Sequence, residues 1–279
     1  MKQWKTVIEP KTKLLDLPWK EIWQYRHLVW MLVKRNYEIQ YKQTILGPWW
    51  IILNPVFSSG LFSLIFGAIG KFQSDGLPYF LFYLSGNIIW MFFYSSVTLN
   101  ATIFLDNAYL FGKVYFPRMA VPIATVLFEM IRFMIQFVVC ILVWLFFYME
   151  KRTEFGGMAV LLLPVLIIQT GILGMSLGMI ISSLTTKYRD FNHITGFAMQ
   201  LFMYVSPVLY SINGIPEKLQ RVILLNPMAP VIEAFRYAIT GRGMIRWDAL
   251  LYSFVVTGIL AIIGMIVFHQ TEKTFIDIV

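Results

Sequence analysis

Two charged residues one helical turn apart, Glu129 and Arg132, lie inside an otherwise apolar stretch from about Ala120 to Tyr148. An unpaired charge in hydrocarbon costs on the order of 3 kcal/mol by insertion scales. At i,i+3 the two side chains can face each other, so the pattern reads as a structural ion pair within a helix bundle or as a substrate contact. One intramembrane carboxylate is too few for a proton relay, which argues against a proton-coupled carrier. Gly174-Met175-Ser176-Leu177-Gly178 matches G-x-S-x-G, and a nucleophilic Ser176 would make the chain an intramembrane hydrolase. That elbow needs a strand-to-helix turn, whereas this one sits inside the uncharged run 155–186. The same residues, with Gly171 one turn earlier, form a small-residue stripe of the kind that lets helices approach closely, and packing is the stronger reading.

Other chemistry is poorly supported. Gly67-Ala68-Ile69-Gly70-Lys71 superficially resembles the end of a phosphate loop, but Phe72 stands where a metal-binding Ser or Thr is needed, so any ATP is expected on another chain. His27, His193 and His269 fall in different segments without ligand spacing, so no metal site is expected. Cys140 is the single cysteine, which excludes an internal disulfide and a cysteine metal cluster.

The elements that must position these residues follow from composition. Of 279 residues 58% are hydrophobic, 17% aromatic and 14% charged, more apolar side chain than a soluble domain of this size can bury. A bilayer core of roughly 30 Å takes about 20 apolar residues per helix. Uncharged runs cover 43–70, 76–105, 155–186, 191–216 and 249–271, and the stretch 120–148 supplies a sixth span. The expected fold is therefore all-α and integral to the membrane, with a six-helix permease domain over 43–279 and a cytoplasmic segment over 1–42. The first 42 residues are charged and hold no long apolar run, so no cleavable signal peptide is expected. The net charge of +8 reads as span-flanking basic residues, not as a nucleic-acid surface. Most Lys and Arg fall on one side if both termini are cytoplasmic, which is the orientation expected.

Three segments depart from plain spans. Trp19, Ile22, Trp23, Trp30 and Val33 recur at helical spacing among Lys20, Arg26, Lys34 and Arg35, the pattern of an amphipathic helix on the membrane surface or of one packed on a cytoplasmic partner. Residues 106–118 mix charges with four aromatics, too polar to span and too apolar for a free loop. A short helix plugged into a partner or held at headgroup level satisfies both constraints, and residues 187–191 could share its interface. From Ile212 to Trp247, Pro216, Asn226, Pro227 and Pro230 interrupt short apolar pieces. A continuous span is excluded there; short re-entrant helices or a surface loop remain.

Several of these stretches resemble, in order, the type 2 ABC permeases that export O-antigen, capsule and teichoic acid chains. They are Tyr41-Lys42-Gln43-Thr44-Ile45-Leu46-Gly47-Pro48-Trp49-Trp50, Gly76-Leu77-Pro78-Tyr79-Phe80-Leu81-Phe82-Tyr83-Leu84-Ser85-Gly86 with Trp90, Lys113-Val114-Tyr115-Phe116-Pro117-Arg118, Tyr188-Arg189-Asp190 and Asn226-Pro227. The resemblance implies a homodimer in the bacterial inner membrane joined to two cytoplasmic nucleotide-binding ATPase subunits, which would carry ATP and Mg, with no cofactor on this chain. The substrate would be a lipid-linked polysaccharide, O-antigen first. A permease of the same fold for a small drug or lipid is the alternative.

The resemblance also implies roles for segments. Residues 19–42 would be interfacial, 106–118 a coupling helix and 213–245 short re-entrant helices between the fifth and sixth spans. ATPase coupling would involve Asp106, Asn107, Leu110, Lys113, Arg118, Arg189 and Asp190. Lys34, Arg35 and Lys42 could hold the carrier's pyrophosphate or lipid headgroups, though positive-inside alone also places them there. Phe92, Phe93, Tyr94, Phe202 and Tyr204 are available as sliding faces for sugar rings, with core filling the plainer reading of any one of them.

Overall fold

The computed structural model describes residues 23–113 and 116–274, among which the regular structure is entirely helical. Trp19, Lys20 and Ile22 of the expected surface helix, and residues 114 and 115 of the coupling segment, lie outside them. In chain order the helices are α1 (Arg26–Tyr41), α2 (Trp50–Phe62), α3 (Tyr79–Ala101), α4 (Ile103–Asp106), α5 (Ala108–Lys113) and α6 (Ala120–Met149). Then follow α7 (Leu163–Lys187), α8 (Phe191–Tyr204), α9 (Glu217–Ile223), α10 (Met228–Thr240) and α11 (Trp247–Thr274).

Five helical stretches have the length and hydropathy of a membrane span: Gly47–Ile69, Tyr79–Ala101, Ala120–Met149, Gly157–Lys187 and Trp247–Lys273. The first is not uniform. A 3-10 turn over Gly47–Trp49 leads into α2, and a π-helical end over Ser63–Ile69 follows it. Pro55 inside α2 has no N–H to give the Ile51 carbonyl one turn back, and Gln136 Nε2 of α6 supplies the missing donor at 3.2 Å.

The sixth crossing is shorter than the uncharged run 191–216 suggests. That run is helical only over Phe191–Tyr204, about 21 Å at 1.5 Å per residue. Its ends nonetheless lie at opposite ends of the bundle. Asp190 directly follows α7, whose Thr185 hydroxyl donates to the Ala101 carbonyl at the end of α3. Ser211 donates to both oxygens of Asp75, in the loop that precedes α3, at 2.6 and 2.7 Å. Residues 191–211 therefore run the length of α3, finishing on irregular backbone over 205–211.

Helix α3 is the axis of the molecule, with 78% of its most apolar window buried against 17% for α6 and 22% for α11. It packs on α7, α6, α2, α10 and α8. The close approach of α3 and α7 depends on the glycine stripe. A Cβ at Gly174 would stand 2.6 Å from Ser96 Cβ, and one at Gly178 would press on Asn100 Cβ and lie 2.8 Å from the Val97 carbonyl. On the other face of α7, Gly264 brings α11 so close that a Cβ there would be 2.8 Å from the Ser176 carbonyl. Lipid tails are as apolar as leucine, so such backbone contact, not hydrophobic drive, holds spans together.

Two ends can be distinguished. The proximal end holds α1, α4, α5, the α7–α8 turn and the last turn of α11. The distal end holds the 70–78 loop, residues 205–227 and the loops leading to α7 and α11. There α9 and α10 meet at 101°, the two short helices expected for 213–245. Asn226-Pro227 forms their corner: Asn226 Oδ1 accepts from Met228 N at 2.9 Å, capping α10, and Nδ2 donates to Ser206 Oγ at 2.8 Å.

Candidate functional site

At the proximal end, the segment 106–118 begins at the last residue of α4 and holds one short helix, α5, over Ala108–Lys113. Asp106 is exposed and accepts from Thr102 Oγ1 at 2.6 Å. Lys113 is exposed and lies 3.9 Å above the Tyr109 ring. Lys187, Tyr188, Arg189, Asp190 and His193 are exposed on the adjoining turn. Thr185 and the packing of α4 on α7 keep the two loops side by side.

The other residues expected here face inward. Leu110 is half-buried against the proximal core. Asn107 is buried, donating to the Ile103 carbonyl at 2.9 Å and accepting from Arg35 Nη2 at 2.7 Å. Arg118 lies 5.6 Å from the Phe111 ring centroid and pairs with Glu272 at 3.7 Å, fastening the last turn of α11.

The three cations named for an anionic headgroup do not converge. Lys34 is exposed; Lys42 is exposed beside Glu38 at 3.9 Å; Arg35 turns inward to Asn107. Burial holds the Arg35 guanidinium below its usual range. That hydrogen bond ties α1 to Asn107, a link over 72 residues that no sequence spacing signals. Trp30, Met31 and Ile39 of α1 and Trp23 just before it are exposed, apolar surface that either a headgroup layer or a cytoplasmic partner would cover.

Glu129 and Arg132 do pair, with Nη1 at 2.7 and 2.9 Å from the two carboxylate oxygens. Glu129 is 2% exposed and Arg132 14%. They line a small polar pocket with Ser95, Gln136, Met91, Phe92 and Phe133. Gln136, one turn from Arg132, reaches Ile51, which directly follows the exposed Trp49 and Trp50. The pocket's Met91, Phe92 and Ser95 place the pair beside the middle of α3.

Ser176 has no exposed surface, and its hydroxyl donates to the Ile172 carbonyl of its own helix at 2.6 Å. The packing reading of the glycine stripe accounts for it. No group of three or more His, Cys, Asp or Glu residues is arranged to hold a metal ion among the described residues.

Of the five aromatics, Phe92 and Phe93 are core residues. Phe92 packs on Phe133 at 5.3 Å between centroids, and Phe93 on Trp90 at 5.5 Å. They lie on the α3 face turned to α6 and α7, so neither is open to a passing chain. Phe202 is half-buried on Trp90 at 6.0 Å. Tyr94 and Tyr204 remain exposed, as are Asn54 on α2 and Gln200 on α8. These amides were missed in the sequence because an uncharged run looks equally apolar on every face.

At the distal end three arginines bond across the fold, while Lys71, Lys151, Glu217, Lys218 and Arg221 stand exposed. Arg242 Nη1 donates to the Gly76 carbonyl at 2.6 Å, with Glu154 3.5 Å from Nη2. Arg246 Nη2 donates to Gln220 Oε1 at 2.8 Å, and Arg236 Nη2 to the Pro207 carbonyl at 2.9 Å.

Comparison with known proteins agrees with this architecture. The family model described as ABC-2 type transporter matches residues 27–240. An O-antigen export system permease protein RfbA of Klebsiella pneumoniae is 27% identical over 251 residues, covering 90% of this chain and 94% of that protein. A second permease of that name and organism is also 27% identical, over 256 residues, at the same coverage. The RfbA permease of Myxococcus xanthus is 24% identical over 260 residues, covering 92% and 97%. With five full-length spans, a broken sixth crossing and a match extending from α1 to the end of α10, this chain belongs to the ABC-2 type transporter family.

Proposed function

We propose that this chain is the permease subunit of an ATP-driven exporter that moves lipid-linked O-antigen polysaccharide across the bacterial inner membrane, working as a homodimer with two cytoplasmic ATPase subunits. The observation that carries the reading is the exposure of Asn54, Tyr94, Gln200 and Tyr204 on spanning segments. Amides turned outward from a membrane helix are costly against lipid. They are satisfied where a second copy encloses a water-filled path. Phenol rings and amides, with no fixed charge between them, suit a hydroxyl-rich chain that must slide without stopping. The names of the relatives in Klebsiella pneumoniae and Myxococcus xanthus support O-antigen as the cargo.

In this reading the proximal end faces the cytoplasm. Asp106, Tyr109, Lys113, Tyr188, Arg189 and Asp190 form the docking surface for the ATPase, because they are the exposed groups of the two adjoining loops. Arg35, Asn107 and Arg118 act behind that surface, passing movement of the loops to α1 and α11.

The test is reconstitution of the chain with its co-purifying ATPase in liposomes carrying lipid-linked glycan on the ATPase side. The expected result is glycan transfer that needs ATP and stops when the ATPase is inactivated. Transfer of a small drug or free lipid but not of glycan would move the cargo to that class. Transfer by a monomer without any ATPase would refute the reading.

A further inference from the structure

Residues 205–211 complete the sixth crossing with turn hydrogen bonds, Ser206 N to the Met203 carbonyl and Val208 N to the Ser206 carbonyl, so the remaining polar groups need partners from elsewhere. One partner is unusual. Arg236, in the middle of α10, is 2% exposed and donates from Nη2 to the Pro207 carbonyl at 2.9 Å. Its Cζ lies 3.8 Å from the centroid of the Phe82 ring on α3. The same Nη2 occupies space that only a glycine leaves free, 2.6 Å from where a Cβ at Gly86 would be. Glu233, Asp75 and Tyr83 are near enough to act on its charge. A single guanidinium thus joins α3, α10 and the irregular end of the crossing. Its planar fork can donate sideways while its face stacks on the ring, which an ammonium cannot do.

Its position gives this joint a consequence. Pro207 lies four residues before Ser211, whose hydroxyl is held by Asp75 at the distal end. Helix Phe191–Tyr204, just before the joint, carries the outward Gln200 and Tyr204. Resting on the transport reading above, we propose that Arg236 is a positioning residue that latches the distal mouth shut. While its guanidinium holds the Pro207 carbonyl, the irregular segment stays against α3 and α10; when that bond is released, residues 205–211 move and the mouth opens.

The test uses the permease with its co-purified ATPase in liposomes loaded with potassium, without ATP or glycan. The wild-type complex is expected to hold the gradient. Arg236→Met, which keeps the bulk but loses donor and charge, is expected to leak potassium at least tenfold faster, and Arg236→Lys to fall between. Gly86→Ala leaves the charge in place but presses on Nη2, and it is expected to leak as well. Met and Ala variants that assemble, stay tight and export normally would overturn the latch. So would failure of both to reach the membrane, since Arg236 would then serve folding alone. A wild-type complex that holds potassium but exports no glycan with ATP would instead count against the transport reading, and the leak comparison would still be read.

Discussion

The two ends of the molecule differ in where their long-range charged bonds lie relative to the surface. At the distal end Asp75, Arg236, Arg242 and Arg246 each bond to a group far away in sequence, binding the loops and short helices into one cap. On the proximal surface Asp106 and Lys113 bond only within their own helical turns, and Arg189 and Asp190 stand exposed. A surface whose charges are satisfied inside the chain is finished; one whose charges face water is available to something else. Under the proposed function, the distal network serves stability and the proximal loops serve communication with the ATPase.

The strongest way to break that contrast lies inside the bundle, beside the middle of α3. If only its outer layer is open, the Glu129–Arg132 pair should behave as a closed structural element. Arg132→Leu alone strands a buried carboxylate and is expected to cost about 3 to 5 kcal/mol. Replacing Glu129 and Arg132 together by Leu and Met removes both charges and should cost clearly less. Thermal unfolding in detergent compares the two, and equal losses would show that the pair is open to water.

Next in size is the distal corner. Asn226→Ala removes the cap of α10 and leaves Ser206 without its amide donor, in a residue only 6% exposed. The expected loss is about 1 to 3 kcal/mol. No change in unfolding temperature would mean that the distal network is less closed than its hydrogen bonds imply.

What the sequence disclosed and what it hid divide along the same line. Five spans followed from run lengths, because a bilayer imposes a minimum length that composition alone reveals. The glycine stripe at Gly171, Gly174 and Gly178 was legible as packing, since small residues have few other uses inside a membrane. The break after Tyr204 was hidden, as the uncharged run continues through it to Pro216. So were the bonds of Arg35 to Asn107 and of Arg236 to Pro207, which join residues 72 and 29 positions apart. Phe92 and Phe93 were misplaced in the transport path because aromatic character does not say which face of α3 a ring occupies.

A smaller effect separates the inner from the outer layer of the proximal loops. Arg118→Ala releases Glu272, and with it the last turn of α11, and is expected to cost about 1 kcal/mol, the ordinary net worth of one hydrogen bond. Hydrogen exchange should locate the loosening in residues near Glu272. Loosening confined to residues 106–113 would place Arg118 in the outer layer instead.

The smallest effect on stability should accompany the largest functional one. Asp106→Arg and Arg189→Glu change exposed groups that bond to nothing distant, so each is expected to shift the unfolding temperature by less than about 2 °C. Under the docking assignment both should still abolish the coupling of ATP hydrolysis to transport, because a reversed charge meets the partner's complementary surface as repulsion. Lys218→Glu is the matching change at the distal end, where the side chain is also exposed, and it should alter neither quantity. Measuring ATPase rate, glycan transfer and unfolding on the same three preparations separates the outcomes. Uncoupling by the proximal pair alone supports the division between the ends. Equal behaviour of all three would mean that exposure marks no partner surface, and the proximal loops would then be only the turns that join spans.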